Sequence, residues 1–582
     1  MNTNVSEASD FKKLFRICLP HKGLLILGVF CSVLGALAEL IIPQMIGRIV
    51  DVKTMHYILD NKLIMLGGAA FFLIIYLIQG IAIYLLGRVG ADAMNRLQTE
   101  FTNYTFSLPL SQIDHQSAGD LASRLTNDIS EVTKIVTVLF PQLTINLIIV
   151  CGSVLMLLKI NFKLTLISLL IIPICFIIIA PINNRLEKLY NAHQTYLGNI
   201  SGEFTQKIRN VKIIKAFLGH KQEESNFRIR FNALANNLVQ IVKVLAALNT
   251  FMSALMMLFV IVILLSASLS VTQGLMTFSA LITFILYIVQ MVNPMIDIIN
   301  NLSELSETKG ALHRITYIMS LPNEDLNQGD SNFRIHDGGI CFNHVTFGYE
   351  LEKQVLNDVS ISIAPKQFVA IVGPSGAGKT TILSLLMKFY TGYTGSIEID
   401  GISLSKISPF ALRNQCAFVL QSNSLFSGTI RDNLLYGKNS NASETEIEAA
   451  LELSGANTFV NQFPQGINTK IGEDGIGLSE GQRQRLNISR AFLRHPKIIL
   501  LDEITANLDA VAEEEVIDAI KAISKTATTI MVAHRLKTIL RADIIFVMEK
   551  DGTIKFSGTH DELLQKSSTY QTHIPHVNFS IL

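Results

Sequence analysis

Phe368-Val369-Ala370-Ile371-Val372 runs directly into Gly373-Pro374-Ser375-Gly376-Ala377-Gly378-Lys379-Thr380, and a helix-forming run follows from Thr381. An apolar strand, a glycine-rich loop and a helix start, in that order, fit the pattern G-x-x-x-x-G-K-[ST] in the context where it binds phosphate. The glycines let main-chain N–H groups curl round phosphate oxygens, and the helix N-terminus adds its dipole. Lys379 then reaches the outer phosphates and Thr380 offers its hydroxyl to Mg²⁺, with Thr381 completing the phosphate-contacting set. A chance glycine turn would not bring both flanks with it, so Gly373 to Thr381 is expected to hold a nucleotide.

Working outward, Ile498-Ile499-Leu500-Leu501-Asp502-Glu503 reads as a buried strand ending in two carboxylates, the edge at which parallel α/β sheets place their ligands. Asp502 is expected to position Mg²⁺, and Glu503 to orient or deprotonate an attacking water. Between loop and strand lies Leu478-Ser479-Glu480-Gly481-Gln482, ahead of the helical run Arg483 to Leu493. Ser-x-x-Gln is a capping box, and its hydroxyl and free N–H groups make an anion site that lacks an anion of its own.

The rest of the chain is of another kind. Of 582 residues 49% are hydrophobic and only 16% charged, and the mean hydropathy is +0.39, too apolar for a soluble chain of this length. Apolar stretches long enough to cross a bilayer core of about 30 Å run at about 24–49, 63–86, 135–158, 164–182, 244–269 and 275–299. Six crossings leave both ends on one side. Lysine and arginine crowd the flanks and the long loops, for example Arg88, Arg96, Arg124, Arg185, Lys188, Lys207 and Arg230, which places those loops in the cytoplasm. The two long loops, about 88–134 and 183–243, carry helical periodicity and read as stalks holding turns near Leu110 to Leu121 and Lys207 to Phe217, each placed to touch a soluble domain. Leu321 to Gly339 is rich in Pro, Asn, Asp and Gly, the chemistry of a linker.

A net charge of +1 gives no basic face for nucleic acid. The six cysteines stand singly, without zinc-ligand spacing, and read as small buried hydrophobes. Glu7 and Asp10 and the lack of a small-residue cleavage site argue against a signal peptide, so the first span is expected to remain.

With Leu478 to Gln482 in place, the chain resembles the ATP-binding-cassette transporters, of which that pentapeptide is the signature. The resemblance then extends over nearly the whole length, to the bacterial half-size multidrug, lipid and peptide exporters. It implies an all-α six-helix transmembrane domain over 1–320, a linker over 321–335 and an α/β nucleotide-binding domain over 336–582. It further implies that Ser479 and Gly481 contact the γ-phosphate of ATP held by an opposite subunit, with Gln482 among the nucleotide-binding residues. Tyr349 resembles the aromatic that stacks on adenine, Gln421 the glutamine that senses Mg²⁺, Asp509 the aspartate of a loop crossing the dimer, and His534 the histidine at the γ-phosphate. Three departures stand out: Glu480 where glycine is commonest, Asn507 where alanine is usual, and Lys470 where glutamate usually faces the coupling turns, though Glu473 is retained.

The resemblance implies an ATPase coupled to export from the inner (plasma) membrane, with ATP and Mg²⁺ as cofactors and the cassette in the cytoplasm. The partners implied are membrane lipid, a hydrophobic or amphipathic drug, lipid or peptide, and a second half-transporter. Because one chain carries both Glu503 and the signature, a homodimer is expected, with a paired heterodimer as the alternative. An ATP-gated channel and an importer on the same scaffold are the rival functions. The six spans exclude a soluble cassette protein, and the short stretch before the first span argues against a fused leader peptidase. Glu39 is the one charge deep in a span; it either recognises a cationic substrate or pairs inside the bundle. Asp297 is expected near water, and Phe30, Phe71, Phe72, Phe251, Phe259 and Phe284 to line a cavity or face lipid.

The charge asymmetry makes a direct prediction. Cysteines introduced at Asn61 and Ser268 should react with a membrane-impermeant thiol reagent in intact cells, and one at Ser201 should not. Reaction at Ser201 alone would reverse the orientation.

Overall fold

A chain crossing lipid must satisfy its backbone polar groups internally, and helices do so within one segment. The structure, a computed structural model, describes residues 22–50, 62–169, 171–274, 276–350, 353–421, 425–472, 475, 477–504, 508 and 510–573. It divides into two units, one holding the chain up to Phe101 with Ala122–Tyr317, the other Thr102–Leu121 with Ile318–Leu582.

In the first unit, α1 (Lys22–Glu39) and α2 (Ile42–Val50) form the first apolar passage, broken at Leu40 and Ile41. There follow α3 (Lys62–Phe106), α4 (Leu110–Ile113), α5 (Phe140–Ile160), α6 (Phe162–Leu169), α7 (Ile171–Arg209), α8 (His220–Thr272) and α9 (Phe278–Ser320). Among the described residues five helical runs are long and apolar enough to span a membrane. The remaining expected crossing, about 164–182, falls on α6 and the start of α7.

Helices α7, of 39 residues, and α8, of 53, are too long for the bilayer alone: at about 1.5 Å per residue each far exceeds a hydrocarbon core of about 30 Å. They lie along one another, tied by Lys207–Glu223 at 2.5 Å and Arg230–Glu203 at 2.8 Å, and they meet at the turn Val211–Ala216. The other expected turn, around α4, clusters with the second unit. Of the phenylalanines, Phe284 is fully buried and Phe259 packs against the same cluster, while Phe30 and Phe251 are exposed. Asp297 is exposed as well.

Among the described residues the second unit carries two larger sheets and a two-stranded one, Gly428–Thr429 with Lys470–Ile471. An antiparallel one contains β1 (Ile340–Phe347), β2 (Leu356–Ile363) and β4 (Thr394–Ile399). The main sheet contains β3 (Phe368–Val372), β5 (Cys416–Val419), β6 (Ile498–Asp502), β7 (Thr528–Val532), β8 (Ile544–Met548) and β9 (Ile554–Gly558), in the order β9-β8-β3-β7-β6-β5. All its pairings are parallel except β8 with β9.

Strands β3, β6 and β7 are buried along their whole length, and their alternate residues enter different cores. Val369, Ile371, Leu500, Ile530 and Val532 belong to one, and Phe368, Ile499, Leu501 and Met531 to the other. Continuous apolar strands are what a sheet covered on both faces requires. The register sets Val532 opposite both Ile371 and Asp502, so three strands end level at one edge of the sheet.

Candidate functional site

That level edge is where the loop after β3 opens. Gly373 and Gly378 adopt φ of +151° and +99°. A Cβ on Gly373 would lie 2.3 Å from the Met548 carbonyl oxygen, and one on Gly378 would lie 2.9 Å from the Val355 carbonyl oxygen. Both backbone shape and space therefore demand glycine. Gly378 caps α10 (Lys379–Leu386), whose first turn points into the loop. Lys379 is buried, and its Nζ donates to the Gly373 and Pro374 carbonyls at 2.9 Å each. Burial holds its pKa below the ordinary lysine value, against the pull of Glu503 and Asp502.

Thr380 donates its hydroxyl to the Asp502 carboxylate, with oxygen separations of 3.0 and 3.1 Å. Asp502 closes β6 and is nearly buried, and burial raises its pKa while the Thr380 hydroxyl lowers it. Glu503 follows with φ +50°, left-handed and costly for a residue with a Cβ, and its N–H donates to the Val532 carbonyl at 3.2 Å. This backbone turn sends the two neighbouring carboxylates in different directions.

Asp502 meets Thr380, while Glu503 lies between two other groups. Gln421 Nε2 donates to Glu503 Oε2 at 2.7 Å, and His534 Nε2 lies 2.8 Å from Oε1. Gln421 follows β5 and His534 follows β7, so both come from strand ends along the same edge. Tyr349 shares a 3.0 Å hydrogen bond with the Thr381 hydroxyl, and burial raises its pKa.

The sequence-derived residues thus converge in one place, with one group apart. Ser479 is exposed and caps α11 (Glu480–Phe492). Gln482 N–H donates to Ser479 Oγ at 3.2 Å and Ser479 N–H to Gln482 Oε1 at 2.9 Å, a closed capping box with Gly481 inside its first turn. Among the described residues the side-chain partners of Ser479 and Gln482 are each other. Glu473, Asn507 and Asp509 lie outside the described residues.

Two neighbours of the site escaped the sequence reading. Tyr390 stands edge-on to Tyr349, with ring centroids 4.9 Å apart, and its hydroxyl donates to Asp114 at 2.5 Å. Burial, then Asp114, pushes the Tyr390 pKa up. Asp114 immediately follows α4, so the turn at the foot of α3 reaches the aromatic group beside the loop. The aromatic pair Phe389-Tyr390 just beyond α10 was the available signal.

Among the described residues no three His, Cys, Asp or Glu side chains gather to hold a metal. A hydroxyl and a carboxylate already hydrogen-bonded to each other, as Thr380 and Asp502 are, suit a Mg²⁺ ion that would take its remaining oxygens from water and nucleotide phosphates. The residues present therefore fit such a group.

The chain is similar to known proteins over nearly its whole length. Residues 25–295 match the family described as the ABC transporter transmembrane region, and residues 356–506 match the ABC transporter family. The chain is 32% identical over 569 residues to a multidrug resistance ABC transporter ATP-binding and permease protein of Lactococcus lactis, covering 97% of this chain and 95% of that one. It is 30% identical over 576 residues to an ATP-dependent lipid A-core flippase of Idiomarina loihiensis, covering 98% of each. It is 32% identical over 495 residues to a fatty acid ABC transporter ATP-binding/permease protein of Mycobacterium bovis, covering 84% of this chain and 76% of that one. A solved structure described as a bacterial Atm1-family ABC exporter with ATP bound superposes with a TM-score of 0.80 at 25% identity, over 95% of this chain and 97% of that one.

The Thr380–Asp502 pair gives a measurable consequence. Thr380→Val should remove most of the gain in ATP affinity that Mg²⁺ confers, about tenfold or more, because a charge-assisted contact is lost. Calorimetric titration with and without chelator reads this. Equal weakening in chelator would show that the hydroxyl serves only the loop.

Proposed function

The chain belongs to the ATP-binding-cassette transporter family, as a half-size exporter whose cassette is an ATPase coupled to transport, and we propose how its residues divide that work. The observation that carries the proposal is the Glu503 carboxylate, held between Gln421 and His534 one residue beyond the Thr380–Asp502 pair. The loop of Gly373 to Thr381 binds the phosphates, and Tyr349 stacks on the adenine. Thr380 and Asp502 would hold Mg²⁺, which when bound would supply positive charge to the phosphates. Glu503 orients the attacking water and accepts its proton, while Gln421 and His534 fix the carboxylate and border the γ-phosphate.

The signature helix supports a dimeric reading. Ser479, exposed and closed into a capping box with Gln482, and Gly481 in the first turn stand at the N-terminus of α11, the end of a helix that favours a phosphate. In this reading two identical chains close around two ATPs, each signature completing the partner's site, and Mg²⁺-ATP favours an outward-facing membrane half over an inward-facing one. Hydrolysis then resets the cycle. The transporter acts in the plasma membrane, with the cassette in the cytoplasm. Its substrate is hydrophobic or amphipathic, in keeping with relatives described as handling drugs, lipid A and fatty acid.

Glu503→Gln keeps the size and hydrogen bonding of the side chain and removes the base. Turnover should fall by about 10² to 10⁴ while ATP still binds, and nucleotide should become occluded in a closed dimer. Measuring turnover together with retained nucleotide decides the matter: near-normal turnover removes Glu503 from catalysis, and lost binding makes its carboxylate structural.

A further inference from the structure

The first passage through the membrane is broken, and the break has a chemical cause. In a continuous helix the Glu39 carbonyl would accept from the N–H four residues on, which is Pro43, a residue with no N–H. Helix α1 stops at Glu39, Leu40 and Ile41 form a turn, and α2 begins at Ile42. The two orphaned carbonyls are taken up by side chains of α9: Gln290 Nε2 donates to the Glu39 carbonyl at 3.1 Å, and the buried Tyr287 hydroxyl donates to the Leu40 carbonyl at 2.6 Å.

The Glu39 side chain enters the same place from α1. Gln79 of α3 donates its amide to Glu39 Oε1 at 2.6 Å. Gly35, one turn before Glu39, makes room for it, since a Cβ there would come within 2.9 Å of Gln79 Cγ. Three helices thus bring one carboxylate and two glutamines to a helix break within the apolar passage.

What the cluster lacks is positive charge. Among the described residues no Lys, Arg or His forms an ion pair with Glu39, and its partner is a neutral amide. Glu39 Oε2 receives no hydrogen bond from the described residues, and Gln290 Oε1 is buried without a donor. One buried amide oxygen is therefore left without a donor beside a half-buried carboxylate held by a neutral amide, in a span where an ionisable side chain ordinarily has a partner. Broken helices that leave polar groups at membrane depth are also where transporters commonly bind their cargo.

We propose that Glu39, with Gln79 and Gln290 at the break between α1 and α2, is the recognition site for the cationic amine head of an amphipathic substrate. The inference rests on the export reading above and narrows its substrate class. Glu39 supplies the charge, Gln79 holds one carboxylate oxygen so that the other faces the ligand, and Gln290 Oε1 accepts a second N–H. Of the two roles open to Glu39 from sequence, pairing within the bundle is met at one carboxylate oxygen by the neutral amide of Gln79, and no base pairs with it among the described residues.

The test uses the full-length protein in nanodiscs without ATP, so its outcome is independent of turnover and of the Glu503 assignment. The probes are dansylcadaverine, which carries a protonated primary amine, and its N-acetyl derivative, which has the same fluorophore without the charge. Fluorescence titration of the wild type, corrected for empty nanodiscs, should favour the amine by about tenfold or more, the order expected for a hydrogen bond to a charged group. Glu39→Gln should remove that preference, Glu39→Asp should keep part of it, and Gln290→Leu should weaken the amine selectively. The last two variants decide the question if Glu39→Gln does not assemble. No preference in the wild type, an undiminished preference in Glu39→Gln or Gln290→Leu, or equal weakening of both probes would each overturn the proposal.

Discussion

Parallel pairing of β3, β7 and β6 is the constraint from which the ATPase site follows. Because Val532 sits in register with both Ile371 and Asp502, the chain leaves all three strands at the same level. Three different continuations emerge there: a glycine loop into α10, a pair of carboxylates, and a turn carrying His534. None of these groups is near another in sequence. The sheet alone brings them within hydrogen-bonding distance, and it is rigid because its central strands are buried on both faces. A left-handed backbone at Glu503, tied to the Val532 carbonyl, adds the one local distortion that separates two adjacent carboxylates into two partnerships.

The membrane half obeys a different constraint. Its backbone has no water to turn to, so each departure from helix must be answered by a side chain. Pro43 forces such a departure, and Gln290 and Tyr287 answer it. At the lower end of α3 the turn after α4 presents Asp114 to Tyr390, which stands edge-on to Tyr349.

Much of this was legible from residue types that admit few substitutes. Gly373 and Gly378 are read from sequence because the structure has no room for a Cβ there, and the run Ile498 to Glu503 because a strand buried on both faces cannot alternate. The Ser479 to Gln482 capping box was readable for the same reason, since the reciprocal bonds need those two side chains. What stayed hidden were contacts between distant residues of ordinary type. Tyr390 is one tyrosine among thirteen, and Asp114 is an acid in a four-residue helix's wake. Gln79 and Gln290 are uncharged and so do not interrupt an apolar stretch, although each anchors the break beside Glu39. Charge and glycine announce themselves in a sequence, whereas amides and aromatic edges acquire meaning only from the fold.

The central claim is that one chain's Ser479 completes the nucleotide site of another. In a background without the six native cysteines, chains carrying Ser375→Cys can be mixed with chains carrying Ser479→Cys and oxidised mildly, with and without Mg²⁺-ATP. The account predicts a disulfide-linked dimer on a non-reducing gel that forms in Mg²⁺-ATP and is scarce without it. Absence of the linked dimer under Mg²⁺-ATP, or its equal formation in the absence of nucleotide, would contradict it.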